Sequence, residues 1–339
     1  MPPSIKRQLG QILFETSEWF PVARPFLSRW GRRTKREWFS GRVAEARSQL
    51  TGQRVKLASF GENYLSFTLY WRGLDYYEPL TTSLIDRLAA SADLFVDAGA
   101  NIGYYSLRVA AARPDLPVVA FEPHPRLHAL FAANVRANGF DAITAEQIAL
   151  SDRDGILPFY LNHSDMSSSL ERSFDSNQEG VVSVPVMSLD GYLAQRGRNP
   201  GRVLIKVDVE GHEPAFFEGA EETLRRLKPD IVAEAAVPYP ERTIALLRRC
   251  GYHFHQITDE GLRPCAAPAT FVRGPLVFLN CLLSTRPEAE LAELSDHLRT
   301  HSARIDFRKT SKLADPRVME RSRAGFVHAA VSAAHSPAS

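Results

Sequence analysis

Short apolar runs alternate with longer amphipathic segments through the middle of this chain. Burial repeats every two residues in a strand and every 3.6 residues in a helix, so the runs predict strands and the segments predict helices. We predict strands near residues 94–98, 117–122, 143–148, 202–208, 230–235, 252–257 and 275–281, and helices near residues 103–112, 124–137, 188–196, 213–227 and 239–249. This alternation favours an α/β fold, with a mostly parallel seven-stranded sheet and helices on both faces.

The pattern changes on either side of this core and divides the chain into four predicted parts. They are a basic and aromatic helical extension at 1–50, a flap with a lead-in helix at 51–92, the α/β domain at 93–283, and a charged, partly disordered tail at 284–339. Strand-like alternation over 53–72 predicts that the flap is antiparallel, and the tail carries one predicted helix near 287–300. Within the domain, residues 155–189 form a predicted β insertion, whose serine-rich loop we place over the active-site edge.

Residues 1–40 combine eight lysines or arginines with three acidic residues and interleaved Trp and Phe side chains. Pro21 and Pro25 argue against one long helix. The basic and aromatic composition is consistent with a peripheral contact to an anionic membrane, or with a partner surface. The plainer interpretation is a helical extension that packs its aromatic side chains on the main domain.

The composition limits the class of protein further. The chain has 339 residues, of which 44% are hydrophobic and 24% charged, as in a soluble globular protein. A net charge of +2 gives no basic field, so no nucleic-acid partner is expected. The three cysteines include no C-x-x-C pair and favour a reducing, cytoplasmic location. We expect neither a membrane span nor a secretory signal.

The most informative motif is a glycine-rich turn at residues 97–103, which reads Asp-Ala-Gly-Ala-Asn-Ile-Gly. It follows the apolar run at 94–96 and precedes a predicted helix, so it lies at the carboxyl end of a buried strand. Glycines there let a ligand approach the backbone, and the helix start offers free N–H groups. The next predicted strand ends in Glu122, whose carboxylate can accept both hydroxyls of a ribose. Together these features predict a nucleoside-binding site.

The turn differs from the dinucleotide-binding pattern G-x-G-x-x-G. Asn101 places a side chain where a close pyrophosphate needs none, and Asp97 would repel a phosphate but could pair with an ammonium group. A ligand with a ribose at one end and an amino acid at the other fits better, and S-adenosylmethionine is such a ligand. We assign Asp97, Gly99, Asn101 and Gly103 to its methionine end and Glu122 to its ribose. The alternative is a structural turn that binds no ligand.

Five segments carry a family resemblance. They are DLFVDAGANIGYYSL at 93–107, FEPHPRLHALFAANVRANG at 121–139, ALSDRDG at 149–155, MSSSL at 166–170 and LIKVDVEGHEPAFFEGA at 204–220. Over roughly residues 75–282 the chain resembles FkbM-type S-adenosylmethionine-dependent methyltransferases. The resemblance implies an enzyme with a Rossmann-like methyltransferase fold that methylates a hydroxyl of a sugar or natural product. It also supports placing Ser151 and Asp152 at the edge of the adenine.

Methyl transfer to an aliphatic hydroxyl requires that the acceptor oxygen be aligned and deprotonated. The best candidates lie in the sequence Lys-Val-Asp-Val-Glu-Gly-His that begins at Lys206. The two-residue period of a strand places Lys206, Asp208 and Glu210 on one face. His212 is the most attractive base, because its unperturbed pKa is near neutrality. Asp208, Glu210 and Glu234, at the end of the next strand, are the other catalytic candidates.

The same carboxylates support two further hypotheses. Asp208 with Glu210 or Glu234 would offer Mg²⁺ the oxygen ligands that it prefers. Alternatively, Lys206 neutralises Asp208 or Glu210 in a structural ion-paired network, because unpaired polar groups are costly in a central strand.

The leading functional prediction is an O-methyltransferase that acts on a small-molecule or glycan acceptor, such as a sugar, a glycolipid or a natural product. His163 and Ser167–Ser169 in the insertion suit a polyhydroxyl acceptor, although a solvated loop explains them equally well. An N- or carboxyl-methyltransferase keeps the fold and changes the acceptor. A nicotinamide-dependent oxidoreductase and a non-catalytic scaffold are alternatives from other classes of protein.

Overall fold

A computed structural model of the chain describes residues 8, 10, 12, 14–16, 39–162, 168–172, 178–197, 200–273 and 276–305. Most of the basic and aromatic segment at 1–40, the tail beyond residue 305, His163 and Ser167 lie outside these ranges. Within the ranges, no helix combines the length and the apolar composition that crossing a membrane requires.

Strands and helices alternate along the chain much as the hydrophobic pattern predicts. The strands are β1 Ala44–Arg47, β2 Arg54–Leu57, β3 Leu94–Ala98, β4 Val118–Phe121, β5 Ile143–Glu146, β6 Ala149–Leu150, β7 Gly155–Asn162, β8 Gln178–Met187, β9 Val203–Val207, β10 Asp230–Glu234, β11 His253–Thr258, β12 Gly261–Cys265, β13 Phe271–Arg273, β14 Leu276–Phe278 and β15 Asn280–Ser284. The helices are α1 Tyr64–Arg72, α2 Pro79–Ala89, α3 Tyr104–Ala112, α4 Pro125–Asn138, α5 Leu189–Gln195, α6 Glu213–Glu218, α7 Glu221–Arg226, α8 Glu241–Arg249 and α9 Glu288–Ser302.

The main sheet has the strand order β12-β11-β15-β10-β9-β3-β4-β5. Its five strands from β10 to β5 are parallel, while β15 is antiparallel to both of its neighbours. The predicted α/β fold with a large, mostly parallel sheet is therefore confirmed. The main sheet has eight strands rather than seven, because β12 returns antiparallel on β11 and extends the edge. The last predicted strand, at 275–281, begins later and occupies Asn280–Ser284.

Neighbouring residues in the central strands face opposite sides of the sheet. Phe95 packs into the layer formed with α1 to α4, whereas Leu94 and Val96 pack into the layer formed with α5 to α8. All five residues of β3 and of β9 are buried. Burial on both faces explains why these strands read as continuous apolar runs in the sequence.

The predicted flap over residues 53–72 is partly wrong. Residues 54–57 do form a strand, which pairs with β1, but Tyr64–Arg72 is the helix α1. The side chain of Asn63 caps this helix by accepting the N–H groups of Leu65 and Ser66. Every residue from Leu65 to Trp71 is buried. Because all sides of this helix are covered, the alternate apolar positions in its sequence do not indicate a strand.

Other differences are smaller. The helix predicted over 213–227 is divided into α6 and α7 at Gly219, where a Cβ would lie 1.9 Å from the carbonyl oxygen of Ser151. The insertion forms a three-stranded sheet from β6, β8 and β7. The helix predicted in the tail is α9, and it packs on the body of the protein with Leu294 and Leu298 buried.

Candidate active site

The glycine-rich turn after β3 has a left-handed backbone at Gly99, Asn101 and Gly103. A Cβ on Gly99 would lie 1.9 Å from the carbonyl oxygen of Asp208, and one on Gly103 would lie 2.1 Å from the ring of Phe131. The space that these glycines leave is thus filled by the end of β9 and by α4. Internal packing requires both glycines, a reason that differs from the ligand approach expected from the sequence.

Glu122 follows β4 and is 5% exposed. One carboxylate oxygen accepts the N–H of Asn101 at 2.7 Å and the other accepts the N–H of His124 at 2.8 Å. A carboxylate has about four acceptor positions, so each oxygen can still accept one hydroxyl hydrogen. Burial raises the pKa of Glu122 to about 7, and the two backbone donors partly oppose that shift.

Asp97 lies beneath the turn and is 1% exposed. Its Oδ2 accepts the N–H of Ser106 at 3.2 Å and the hydroxyl of Ser106 at 2.6 Å. Burial raises the pKa of Asp97 to about 6, while Ser106 and the charge of Lys206 act in the opposite direction. Its hydrogen bonds therefore link the end of β3 to the first turn of α3.

Lys206 is fully buried in β9, with its ammonium 3.2 Å from Oδ2 of Asp208. Its Cα is paired with that of Asp97 on β3, and its ammonium lies 5.6 Å from the centre of the Tyr105 ring. The sequence suggests that Lys206 pairs with Asp208 or with Glu210. The structure contains the ion pair between Lys206 and Asp208.

Three acidic groups meet at the carboxyl ends of β9 and β10. Ligand oxygens of Asp208, Glu210 and Glu234 all lie within 4.8 Å of one another. Glu210 has a left-handed backbone with φ of 54°, and its carbonyl accepts the hydroxyl of Ser169 at 2.7 Å. The grouping expected from the sequence is therefore present.

Both ring nitrogens of His212 have protein partners. Nε2 lies 2.9 Å from the hydroxyl oxygen of Ser151, and Nδ1 lies 2.7 Å from Oε1 of Glu171. Ser151 is fully buried and also donates to Asp152 at 3.1 Å. His212 thus connects the end of β6 to Glu171 in the insertion.

One cavity of about 910 Å³, including the space at its mouth, joins these groups. Its lining includes Gly99, Asn101 and Glu122, which we call the turn side, and Asp208, Glu210 and His212, which we call the acidic side. Five predicted site residues do not line it: Asp97, Gly103, Ser151, Asp152 and Glu234. Ser151 contacts His212, which lines the cavity. Glu234 lies close to Asp208 and Glu210, which also line it.

Comparison with known proteins identifies the family. The Methyltransferase FkbM domain matches residues 97–254. Methyltransferase sdnD of Sordaria araneosa is 30% identical over 176 residues, which cover 44% of this chain and 68% of that protein. The chain belongs to the FkbM methyltransferase family.

Two further proteins are similar to this chain. Methyltransferase 1 of Beauveria bassiana (strain ARSEF 2860) is 28% identical over 156 residues, which cover 41% of this chain and 63% of that protein. A crystal structure of Methyltransferase FkbM from Methylobacillus flagellatus KT is 18% identical, with a TM-score of 0.40 over 67% of this chain and 52% of that one.

Several residues of this FkbM-family cavity had no role in the sequence prediction. Tyr77, Tyr105 and Phe159 form an aromatic part of the cavity wall, and Leu170 is an apolar contribution from the insertion. Ser168, one of the serines predicted to suit a polyhydroxyl acceptor, also lines the cavity. The aromatic pair Tyr76-Tyr77, just ahead of α2, is the feature of the sequence that could have drawn attention to Tyr77.

A buried polar network lies behind Tyr105. The hydroxyl of Tyr105 donates to Oε2 of Glu78 at 2.7 Å, and the side-chain amide of Asn280 donates to the same oxygen at 2.9 Å. Asn280 begins β15 and is paired with Glu234 across the β10–β15 ladder. No sequence motif joins these segments, which lie about 200 residues apart.

Proposed function

We propose that this chain transfers the methyl group of S-adenosylmethionine to a hydroxyl of a sugar, glycan, glycolipid or natural product. The observation that carries the proposal is the single cavity in which Glu122 and the carboxylates of the acidic side both take part. The first suits a ribose and the second suits removal of a proton. The chain spans 63% of the Beauveria relative, so the activity is inferred from the site as well as from the family.

The turn side fits S-adenosylmethionine in chemistry. Glu122 has acceptor capacity left for two ribose hydroxyls, and Ile148, Ala149 and Leu150 offer an apolar wall for an adenine. We keep Asp97, Gly99, Asn101 and Gly103 as the proposed methionine end, with Asp97 acting from beneath the turn. Ser151 and Asp152 remain the proposed adenine edge. The bound cofactor supplies an activated methyl group on a sulfonium.

The acidic side would orient the acceptor and remove its proton. A general base needs an atom within hydrogen-bonding reach of the acceptor hydroxyl. Both nitrogens of His212 contact protein groups, and Nε2 faces the fully buried Ser151. Asp208 lines the cavity and is held in place by Lys206. We therefore propose Asp208 as the base, assisted by Glu210 and Glu234, with His212 as the residue that fixes the surrounding backbone.

A carboxylate-rich acidic side favours an oxygen acceptor over nitrogen. A neutral amine already carries a lone pair and needs no base, whereas an alcohol must lose a proton during transfer. A nicotinamide-dependent oxidoreductase is disfavoured by Asn101, whose side chain stands in the turn where a pyrophosphate would approach.

Calorimetric titration of the full chain with S-adenosylhomocysteine, with NAD in parallel, tests the cofactor class. We expect micromolar binding of S-adenosylhomocysteine alone. Binding of NAD, or of neither ligand, would overturn the proposal.

An acceptor screen with radiolabelled S-adenosylmethionine then tests the base. Asp208→Asn should lower turnover about 100-fold, within the usual range for loss of a general base, and leave the Kd of S-adenosylhomocysteine within about threefold. A larger loss of turnover in His212→Ala than in Asp208→Asn would return the base role to His212.

The predicted parts of the chain also remain proposals. We propose that residues 93–283 form the methyltransferase domain with the insertion at 155–189, that 51–92 covers one face of it, and that 1–50 and 284–339 flank it. A peripheral membrane contact by residues 1–40 is part of this proposal. Vesicle sedimentation, with and without anionic lipid, of the full chain and of a chain that starts at residue 41 tests that contact.

A further inference from the structure

Glu78 has two features that are costly for a residue that only precedes the helix α2. Its backbone is left-handed, with φ of 42° and ψ of 58°, a conformation that disfavours a residue with a Cβ. Its side chain is a carboxylate that is 7% exposed, and a buried charge must be compensated. Glycine would hold the same backbone without strain. Strained residues cluster at functional sites, so we expect the side chain to have a role.

The carboxylate of Glu78 reaches the cavity through Tyr105. Tyr105 donates its hydroxyl to Oε2 of Glu78 at 2.7 Å, and Asn280 donates its amide to the same oxygen at 2.9 Å. Burial, and after it the charge of Glu78, hold the pKa of Tyr105 well above its usual range, so the phenol keeps its proton and remains a donor. Tyr105 itself lines the cavity. A change in the carboxylate is therefore transmitted to the cavity wall.

Tyr105 lies between the turn side and the acidic side. It belongs to the first turn of α3, two residues after Gly103. The centre of its ring is 5.6 Å from the ammonium of Lys206, which pairs with Asp208 at 3.2 Å. A phenol that donates a hydrogen bond to a carboxylate has a more electron-rich ring, which attracts an ammonium group more strongly. The bond to Glu78 thus fixes the ring and favours its contact with Lys206.

From this geometry we infer that Glu78 is a positioning residue for cofactor binding, which acts by holding Tyr105 in the cavity wall. This role rests on the proposed function, in which the neighbouring Gly103 belongs to the methionine end of the cofactor site. A positioning role depends on where the acceptor oxygen of residue 78 lies. A purely electrostatic role would depend on the charge of that side chain instead, so the two roles predict different variants to be harmful.

Three variants separate position from charge in calorimetric titrations of the full chain with S-adenosylhomocysteine. Tyr105→Phe removes the donor and should raise the Kd about tenfold, within the range of couplings between contacting residues. Glu78→Asp keeps the charge and tolerates the left-handed backbone, but its acceptor is one methylene shorter, and it should raise the Kd by about the same factor. Glu78→Gln loses the charge but keeps an acceptor oxygen, and its Kd should stay within about threefold of wild type.

A double variant and two controls complete the test. If Glu78 acts through Tyr105, adding Glu78→Asp to Tyr105→Phe should raise the Kd by less than about twofold more. Tyr252→Phe removes the hydroxyl of another buried tyrosine, which donates to a backbone carbonyl at 3.0 Å. Glu222→Gln changes a half-exposed carboxylate that pairs with Arg225. Both controls should leave the Kd unchanged, and thermal unfolding shows whether each variant is folded.

The possible outcomes separate this inference from the proposed function. If the wild-type chain does not bind S-adenosylhomocysteine, the proposed function is overturned and the role of Glu78 with it. If the wild type binds, an unchanged Kd in Tyr105→Phe overturns the inference alone. So does the reverse order, with Glu78→Asp near wild type and Glu78→Gln weakened, because Glu78 would then act through its charge.

Effects of Glu78→Asp and Tyr105→Phe that multiply in the double variant would also overturn the inference, because the two residues would then act separately. If the variants of Glu78 do not fold, Tyr105→Phe still decides, since it keeps the ring and removes only the hydroxyl that Glu78 binds.

Discussion

The two sides of the cavity are built in different ways. The turn side comes from one short stretch of chain, since the turn follows β3 directly and Glu122 ends the next strand. Its internal bonds are backbone N–H groups donated to one carboxylate. The acidic side draws on strand ends and an insertion that are far apart in sequence, and side chains make its bonds. Local backbone geometry thus sets the first side, and tertiary packing sets the second.

Replacing Gly99 would break the connection between the two sides. Gly99→Ala places a Cβ 1.9 Å from the Asp208 carbonyl at a residue with a φ of +81°, so β9 and the turn must separate. We expect a loss of roughly 4 kcal/mol or more in unfolding free energy, measured by urea denaturation.

Gly139→Ala is the matched control for that change. Gly139 also has a positive φ, of +67°, but its added Cβ would meet nothing within 4 Å. It should cost only about 1 kcal/mol. Equal losses in the two variants would show that backbone strain alone, rather than contact with β9, makes Gly99 necessary.

Replacing Glu122 tests the turn side alone. Glu122→Gln puts an amide NH₂ against one of two backbone N–H donors and removes the charge that a ribose would contact. The Kd for S-adenosylhomocysteine should rise about 10- to 100-fold, as for loss of hydrogen bonds to a charged group. Calorimetry measures this, with Glu222→Gln as control, and an unchanged Kd would remove Glu122 from the ribose site.

The pH dependence of S-adenosylhomocysteine binding is a second test of the proposed contact between Glu122 and the ribose. The pKa of Glu122 is raised to about 7, so the unliganded protein loses this carboxylate as the pH falls through 7. If the ribose binds the carboxylate, affinity for S-adenosylhomocysteine should fall about tenfold between pH 8 and pH 6. Titration of Asp97, with its pKa of about 6, should add a further loss below pH 6.

The effect on stability has the opposite sign. A raised folded-state pKa means that the contribution of Glu122 to stability is present below pH 4.5 and is lost as the pH rises through 7. Glu122→Gln should flatten both the binding curve and the stability curve near pH 7. A binding curve with the same step in the variant would assign the titration to another group.

The smallest expected effect concerns the link between the two sides. Glu171 is 46% exposed, so its contact with His212 should contribute no more than about 1 kcal/mol. Glu171→Gln should change the Kd for S-adenosylhomocysteine by less than about threefold. A larger change would show that the insertion acts on the cofactor through His212 and Ser151, and the two sides would then be one unit.

The difference between the turn side and the acidic side also explains which site residues could be predicted from the sequence. The turn, Glu122 and the carboxylate at each strand end follow from hydrophobic period and chain order, because parallel strands bring their carboxyl ends to one edge. The partners Glu171, Glu78 and Asn280 depend on side-chain packing between distant segments, which no periodicity encodes. The prediction of strands at helix α1 is wrong for a related reason: a helix buried on all sides loses the period that identifies it.

Helix α9 covers the edge of the main sheet, so a chain without it would expose that edge. Ser295 accepts the backbone N–H of Leu262 at 3.0 Å, and Arg299 contacts the carbonyl of Glu260 at 3.3 Å. Both groups belong to the hairpin that forms the outer border of the main sheet, where an uncovered strand can recruit another molecule. A shortened chain that ends at Ser284 would keep every strand of the sheet yet lose this cover. It should self-associate, which size-exclusion chromatography beside the full-length protein would reveal.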